Sequence, residues 1–179
     1  MDLTFILNEP ILITVIVVII SLALYTDLRW RKIPNCLTLP AIALGFIMNF
    51  LGNSWNGLVF AFFGLLVGMG LLILPFMLGA MGGGDVKLLG ALGALVGSYS
   101  VFNIFLYTSL VGGVIAIIAA LANKNLLDTF KKMWLFLKCL FLFRAPEAGT
   151  SGFKKSVPMP YGVAIGAGTF LYLIGGKIV

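Results

Sequence analysis

Apolar runs separated by short polar stretches divide the chain into six segments of helical length. Each run carries at most one charged residue, and such a pattern is typical of helices that cross a lipid bilayer. Three of the six fall short of the roughly 20 residues that a span usually needs, so we expect them to pack inside a bundle, to thin the bilayer locally or to borrow flanking residues. The segments are residues 10–26, 37–51, 57–78, 86–97, 102–122 and 160–174.

The overall composition excludes a soluble protein. Hydrophobic residues make up 61% of the chain and charged residues 10%, against about 45–50% and about 25% in an ordinary soluble domain. The apolar runs recur along the whole chain instead of forming one removable leader at its start. The sequence therefore predicts an all-α fold, a polytopic membrane bundle of six transmembrane helices, in which residues 1–179 form a single domain.

Basic residues predict the orientation of this bundle. All but one of the 12 lysines and arginines follow the first segment, lie at the junction of the third and fourth, or lie between the fifth and sixth. Because basic residues collect in cytoplasmic loops, these connections are predicted to be cytoplasmic and both termini external. The net charge of +6 then indicates loops that face anionic lipid, and it gives no reason to expect nucleic-acid binding.

The longest of these connections contains "KNLLDTFKKMWLFLKCLFLF", which begins at Lys124. At the helical period, most of its charged residues fall on one face and most of its large apolar residues on the other. This predicts a cytoplasmic amphipathic helix that lies in the membrane interface between the fifth and sixth spans.

The residue types exclude several kinds of catalytic chemistry. The chain has no histidine and only two cysteines, Cys36 and Cys139, so histidine-based triads and cysteine or histidine metal clusters are not expected. A Ser-Lys protease would need Lys87 near a serine, but the serines that follow it lie toward the predicted external half or in the next segment. We expect no metal and no cofactor.

Two carboxylates stand out among the six acidic residues. Asp27 closes the first apolar segment and Asp85 precedes the fourth, so the topology puts both at the cytoplasmic membrane boundary. An ionisable residue at such depth is a functional candidate, and two adjacent carboxyl groups that share one proton supply a general acid and a general base. The alternative is structural: each aspartate caps its helix or pairs with Arg29 or Lys87.

The chain around these aspartates fits a peptide-binding loop. Gly82, Gly83 and Gly84 precede Asp85, and a backbone without side chains allows an extended peptide to approach closely. Pro34 and Asn35 end the basic loop after Asp27 and are suited to start the second segment. A simple flexible turn is the alternative for the glycines.

Three stretches together resemble the prepilin peptidase family. "GGGD" with the following Lys87 resembles the GxGD motif of intramembrane aspartyl proteases, "DLRWRKIPN" resembles the first-aspartate motif of prepilin peptidases, and "PMPYGVAIGAG" resembles the Pro-Tyr-Gly segment of their last helix. The resemblance implies an endopeptidase of the plasma (inner) membrane. It would cleave the basic leader of type IV pilin-like precursors at the cytoplasmic face.

Carried over to this chain, the resemblance makes Asp27 and Asp85 the catalytic pair. The resemblance also assigns residues that form or support an active-site loop. A further segment would pack beside the aspartates and is a candidate contact for the substrate helix. The loop and support residues are Gly82, Gly83, Gly84, Lys87, Pro34 and Asn35. The candidate contact residues are Pro160, Tyr161 and Gly162, for which helix starting and packing come first as explanations.

The chain looks more like the short members of this family, which serve tight-adherence (Flp-type) pili or archaeal flagellins and pilins. Longer members carry a segment with paired CxxC motifs and also methylate the new pilin N-terminus, whereas this sequence has no CxxC, so methylation is not expected. The rival function is a small ion-coupled transporter or channel, which also needs intramembrane acids and broken helices. Both acids lie at one predicted face instead of the midplane, which favours the peptidase.

Overall fold

The computed structural model describes residues 10–77, 81–122 and 161–175, and the regular structure in this part of the chain consists of helices without any β-strand. Three of the helices are long and apolar enough to cross a membrane, and the fourth is apolar but shorter. The predicted all-α class is confirmed for this part of the chain. The predicted interfacial helix that begins at Lys124 and the candidate residue Pro160 lie outside the described residues. The helices are α1 (Pro10–Trp30), α2 (Asn35–Met77), α3 (Gly83–Ala122) and α4 (Tyr161–Gly175).

Two of the helices are interrupted where the apolar pattern breaks. In α2, Asn53 and Ser54 leave the helical conformation, and Ser54 has φ 49° and ψ −129°. In α3, Gly97 does so with φ 82° and ψ 174°. The first interruption falls in the polar stretch between the second and third predicted segments, and the second falls at the end of the fourth.

Asn49 of α2 compensates for the interruption in α3. A helix that stops at Gly97 leaves the carbonyl groups of its preceding turn without partners. The side-chain amide of Asn49 donates to the carbonyl oxygens of Ala94 at 2.9 Å and Leu95 at 3.4 Å. These bonds satisfy polar groups at the interruption and join α2 to α3.

The first part of α3, residues 83–96, forms the centre of the bundle. Leu88, Leu89 and Leu92 are fully buried, and α2 approaches so closely that a Cβ added to Gly64 or Gly93 would contact the carbonyl oxygen of the other. Many large apolar side chains of the surrounding helices point outward, as expected for surfaces that face lipid. Residues 83–96, which include nearly all of one of the segments too short for an ordinary span, are thus enclosed by protein.

The helices extend past the apolar segments into the polar residues that flank them. The first helix continues beyond residue 26 to Trp30, and it ends where Arg31 adopts a left-handed conformation with φ 51° and donates its amide to the Asp27 carbonyl at 2.8 Å. The second helix begins at Asn35 and the third at Gly83. Asp27 and Asp85 therefore both lie within helical turns.

Candidate functional site

Asp27 lies on the buried face of α1, in its last turns. The buried residues Ile16, Ile20 and Ala23 precede it at helical spacing, so the packing of α1 carries the carboxylate inward with them. Only 5% of Asp27 is exposed. The first-turn backbone amides of Gly162 and Val163 lie beside its carboxylate.

Asp85 lies in the first turn of α3 and is 8% exposed. The amide of Gly82 donates to Asp85 Oδ2 at 3.1 Å, and the amide of Asp85 donates to the Gly82 carbonyl at 3.1 Å. The first of these bonds is the half of a capping box in which a first-turn side chain bonds back to the amide at the helix start, and the second is a backbone turn bond, because Gly82 has no side chain to complete the box. The structural alternative for Asp85, a capping role, is therefore present in the molecule.

The two aspartates come together at one end of the bundle, where α1 ends and α3 and α4 begin. They lie close enough for the charge on Asp27 to act on Asp85, and the charge on Asp85 also reaches the phenol of Tyr161 in the first turn of α4. Two buried acids from separate parts of the chain thus share one neighbourhood. This arrangement goes beyond what capping of the two helices requires.

The glycine stretch is less open than expected. A Cβ added to Gly84 would lie 2.9 Å from both the Cβ and the carbonyl oxygen of Ile33, and one added to Gly83 would meet the ring of Phe76 at 3.4 Å. Gly82 faces the Asp85 carboxylate. The absence of side chains therefore lets the start of α3 pack against the loop after α1, and Gly84 does not present a bare surface to a peptide.

The supporting residues tie the starts of α2 and α3 together. Lys87 Nζ donates to Asn35 Oδ1 at 2.8 Å, so its ammonium group has a neutral partner across the two helices. The carbonyl of Pro34 accepts the amides of Leu37 at 3.1 Å and Thr38 at 3.4 Å, which satisfies donors in the first turn of α2. These contacts hold the loop that follows Asp27 beside the helix that carries Asp85.

Two residues that the sequence does not single out are Val163, in the first turn of α4, and Thr38, in the first turn of α2. Val163 contributes only its amide, and the signal for it is its position in the first turn of a helix, where amides lack intrahelical partners. Thr38 is fully buried, and its Oγ1 has no hydrogen-bond partner among the described residues. No sequence pattern distinguishes this threonine from one that faces solvent.

Metal coordination has no support in the part of the chain that the structure describes. No group of three or more histidine, cysteine, aspartate or glutamate residues lies together there. Around Asp27 and Asp85 these residues offer two carboxyl groups, backbone amides and the phenol of Tyr161.

A family match and a similar known protein both relate this chain to leader peptidases. Residues 12–117 match the type IV leader peptidase family, a range that includes both aspartates and ends before α4. The "Prepilin leader peptidase/N-methyltransferase" of Xanthomonas campestris pv. campestris is 30% identical over 161 residues, which cover 86% of this chain and 46% of that protein. The chain thus spans about half the length of this relative. No solved structure matches the chain.

Proposed function

The chain belongs to the type IV leader peptidase family, and on this premise we propose that it is a membrane-embedded aspartyl endopeptidase. Asp27 and Asp85 form its catalytic pair. The observation that carries the proposal is the convergence of these two buried carboxylates, which belong to different helices, at the point where Gly84 packs against Ile33 in the loop after α1. Burial of two unneutralised acids is costly and is explained by a reaction that needs both.

The proposed reaction is hydrolysis of a peptide bond by a water molecule held between the two carboxyl groups. Like charges at close range keep one proton on the pair, so one group is an acid and the other a base. The base takes a proton from the water as it attacks the carbonyl carbon, and the acid stabilises the developing oxyanion and then protonates the amine. The step needs neither a metal nor a covalent intermediate.

The proposed substrate is a type IV pilin-like precursor, cut between its basic leader and its hydrophobic helix. The name of the Xanthomonas campestris relative supports this class. We also propose that the enzyme crosses the inner membrane six times with its aspartates at the cytoplasmic face. The interruptions in α2 and α3 divide each into two pieces, which supports six spans, and the distribution of basic residues supports the orientation.

The test replaces each aspartate by its neutral isostere in the full chain. Wild type, Asp27→Asn, Asp85→Asn and the control Asp128→Asn are purified in detergent and incubated with a tagged pilin-like precursor, whose cleavage is followed as a mobility shift. Each dyad variant should lower the rate by about 10² or more, while the control, an aspartate of the predicted interfacial helix, should behave like the wild type. Cleavage at the wild-type rate by either dyad variant refutes the mechanism.

The same variants separate the peptidase from a transporter. An ion-coupled carrier would show proton- or ion-driven uptake in reconstituted vesicles, and the two aspartate variants would abolish that uptake. Precursor cleavage by the wild type together with unchanged ion fluxes in the variants supports the peptidase. Uptake without any cleavage overturns it.

A further inference from the structure

The start of α4 meets Asp27 through backbone groups alone. The first amides of a helix have no partner within the helix, and those of Gly162 and Val163 lie beside the Asp27 carboxylate. Gly162 itself is buried. Two donors fixed by the helix backbone hold a carboxylate more rigidly than a flexible side chain would, because they lose no rotamer freedom on binding.

The approach is close enough to require glycine. A Cβ added to Gly162 would lie 2.6 Å from Asp27 Oδ2, 3.0 Å from its Cγ and 3.2 Å from its Cβ. The buried carboxylate has little room to give way, so any side chain at this position would push it off the two amides. Oδ2 faces Gly162 and has no hydrogen-bond partner among the described residues, so its capacity to accept a hydrogen bond is unused among them.

The same helix packs closely against the part of α3 that follows the interruption at Gly97. A Cβ added to Gly168 would lie 2.5 Å from the backbone nitrogen of Thr108, and Ile165 is fully buried. Tyr161, at the start of α4, lies within reach of the charge on Asp85. A shift of α4 would therefore change the position of Asp27 relative to Asp85.

We propose that α4 is the element that positions Asp27 for the reaction, with Gly162 as the positioning residue. This inference rests on the proposed role of Asp27 as one of the two catalytic carboxylates. It also assigns a function to a helix beyond the family match, which ends at residue 117. Gly162 acts by the absence of a side chain and by its amide, and Val163 by its amide.

The experiment compares Gly162→Ala with Gly166→Ala, one turn further along α4. A Cβ at Gly166 would meet the half-buried side chain of Leu24 at 3.0 Å, which can rotate away, whereas a Cβ at Gly162 meets the held carboxylate. With the tagged pilin-like precursor as substrate, Gly162→Ala should lower kcat on the order of 10²-fold with little change in KM. Gly166→Ala should keep both values near those of the wild type.

A thermal-unfolding cycle tests the contact without reference to activity. Gly162→Ala should lower Tm by about 2–10 °C in the wild-type background. It should lower Tm by much less in Asp27→Ala, which lacks the carboxylate. The double variant also stays informative if Gly162→Ala alone does not fold, because the proposal requires it to recover the fold.

Two results overturn the proposal. One is a Gly162→Ala enzyme whose kcat equals that of Gly166→Ala while Asp27→Asn is inactive, which leaves the proposed function intact. The other is an equal effect of Gly162→Ala on Tm with and without the Asp27 carboxylate. Failure of the proposed function shows separately, as an active Asp27→Asn enzyme.

Discussion

Replacement of Gly97 by alanine should destabilise the protein more than any ordinary glycine substitution in a helix. Gly97 has φ 82° and ψ 174°, a region that is essentially confined to glycine and that costs another residue about 1–3 kcal/mol. The new Cβ would also lie 2.7 Å from Cε1 of the Phe60 ring and nearer still to its Cζ and Cε2. Displacement of a packed ring adds about 1–3 kcal/mol.

These two contributions predict a loss of at least about 2 kcal/mol in the free energy of unfolding. For a chain of this size, the loss corresponds to a fall in Tm of about 4 °C or more. The measurement is thermal or denaturant unfolding in detergent micelles, followed by intrinsic fluorescence. Gly113→Ala is the matched control, because Gly113 lies in the helical part of α3 with nothing within 4 Å of an added Cβ. The Gly113→Ala substitution should raise the free energy of unfolding by up to about 1 kcal/mol.

The steric and backbone contributions are separable. In a Phe60→Ala background the ring is absent, so the penalty of Gly97→Ala should fall but remain at about 1 kcal/mol or more from backbone strain alone. A Gly97→Ala protein within about 0.5 kcal/mol of the wild type would refute the reasoning. A penalty that vanishes in Phe60→Ala would show that the backbone at Gly97 is not in the glycine-only region.

Two further predictions concern contacts near the two aspartates, at the starts of α2 and α3. Gly84→Ala would place a Cβ 2.9 Å from the Ile33 carbonyl oxygen and should lower the free energy of unfolding by about 1–3 kcal/mol. In Gly83→Ala the new Cβ would meet only the edge of the Phe76 ring at 3.4 Å, so the free energy of unfolding should not change. Equal melting curves for the two variants would contradict the close packing of Gly84 on Ile33. A double-mutant cycle of Lys87→Met and Asn35→Ala should give a coupling of about 0.5–1.5 kcal/mol by denaturant unfolding, and additive effects would contradict the hydrogen bond.

Much of the secondary structure and the candidate acids follow from residue types alone. Long apolar runs predict the helices because a backbone in lipid must satisfy its own hydrogen bonds. The interruptions near Asn53 and Gly97 coincide with breaks in these runs, because polar residues and glycine are the residues that leave a helix most readily. Asp27 and Asp85 stand out because a carboxylate beside an apolar segment is costly.

The tertiary structure decided which apolar surfaces face protein. Residues 83–96 are enclosed by neighbouring helices while α1 exposes much of its apolar surface. The sequence cannot separate the two cases, since a side chain that contacts lipid and one that contacts another helix are equally apolar. Backbone contacts cannot be read from the sequence for a related reason: an amide like those of Gly162 and Val163 beside Asp27 belongs to every residue type except proline. Their role follows only from where α4 begins and what lies beside it.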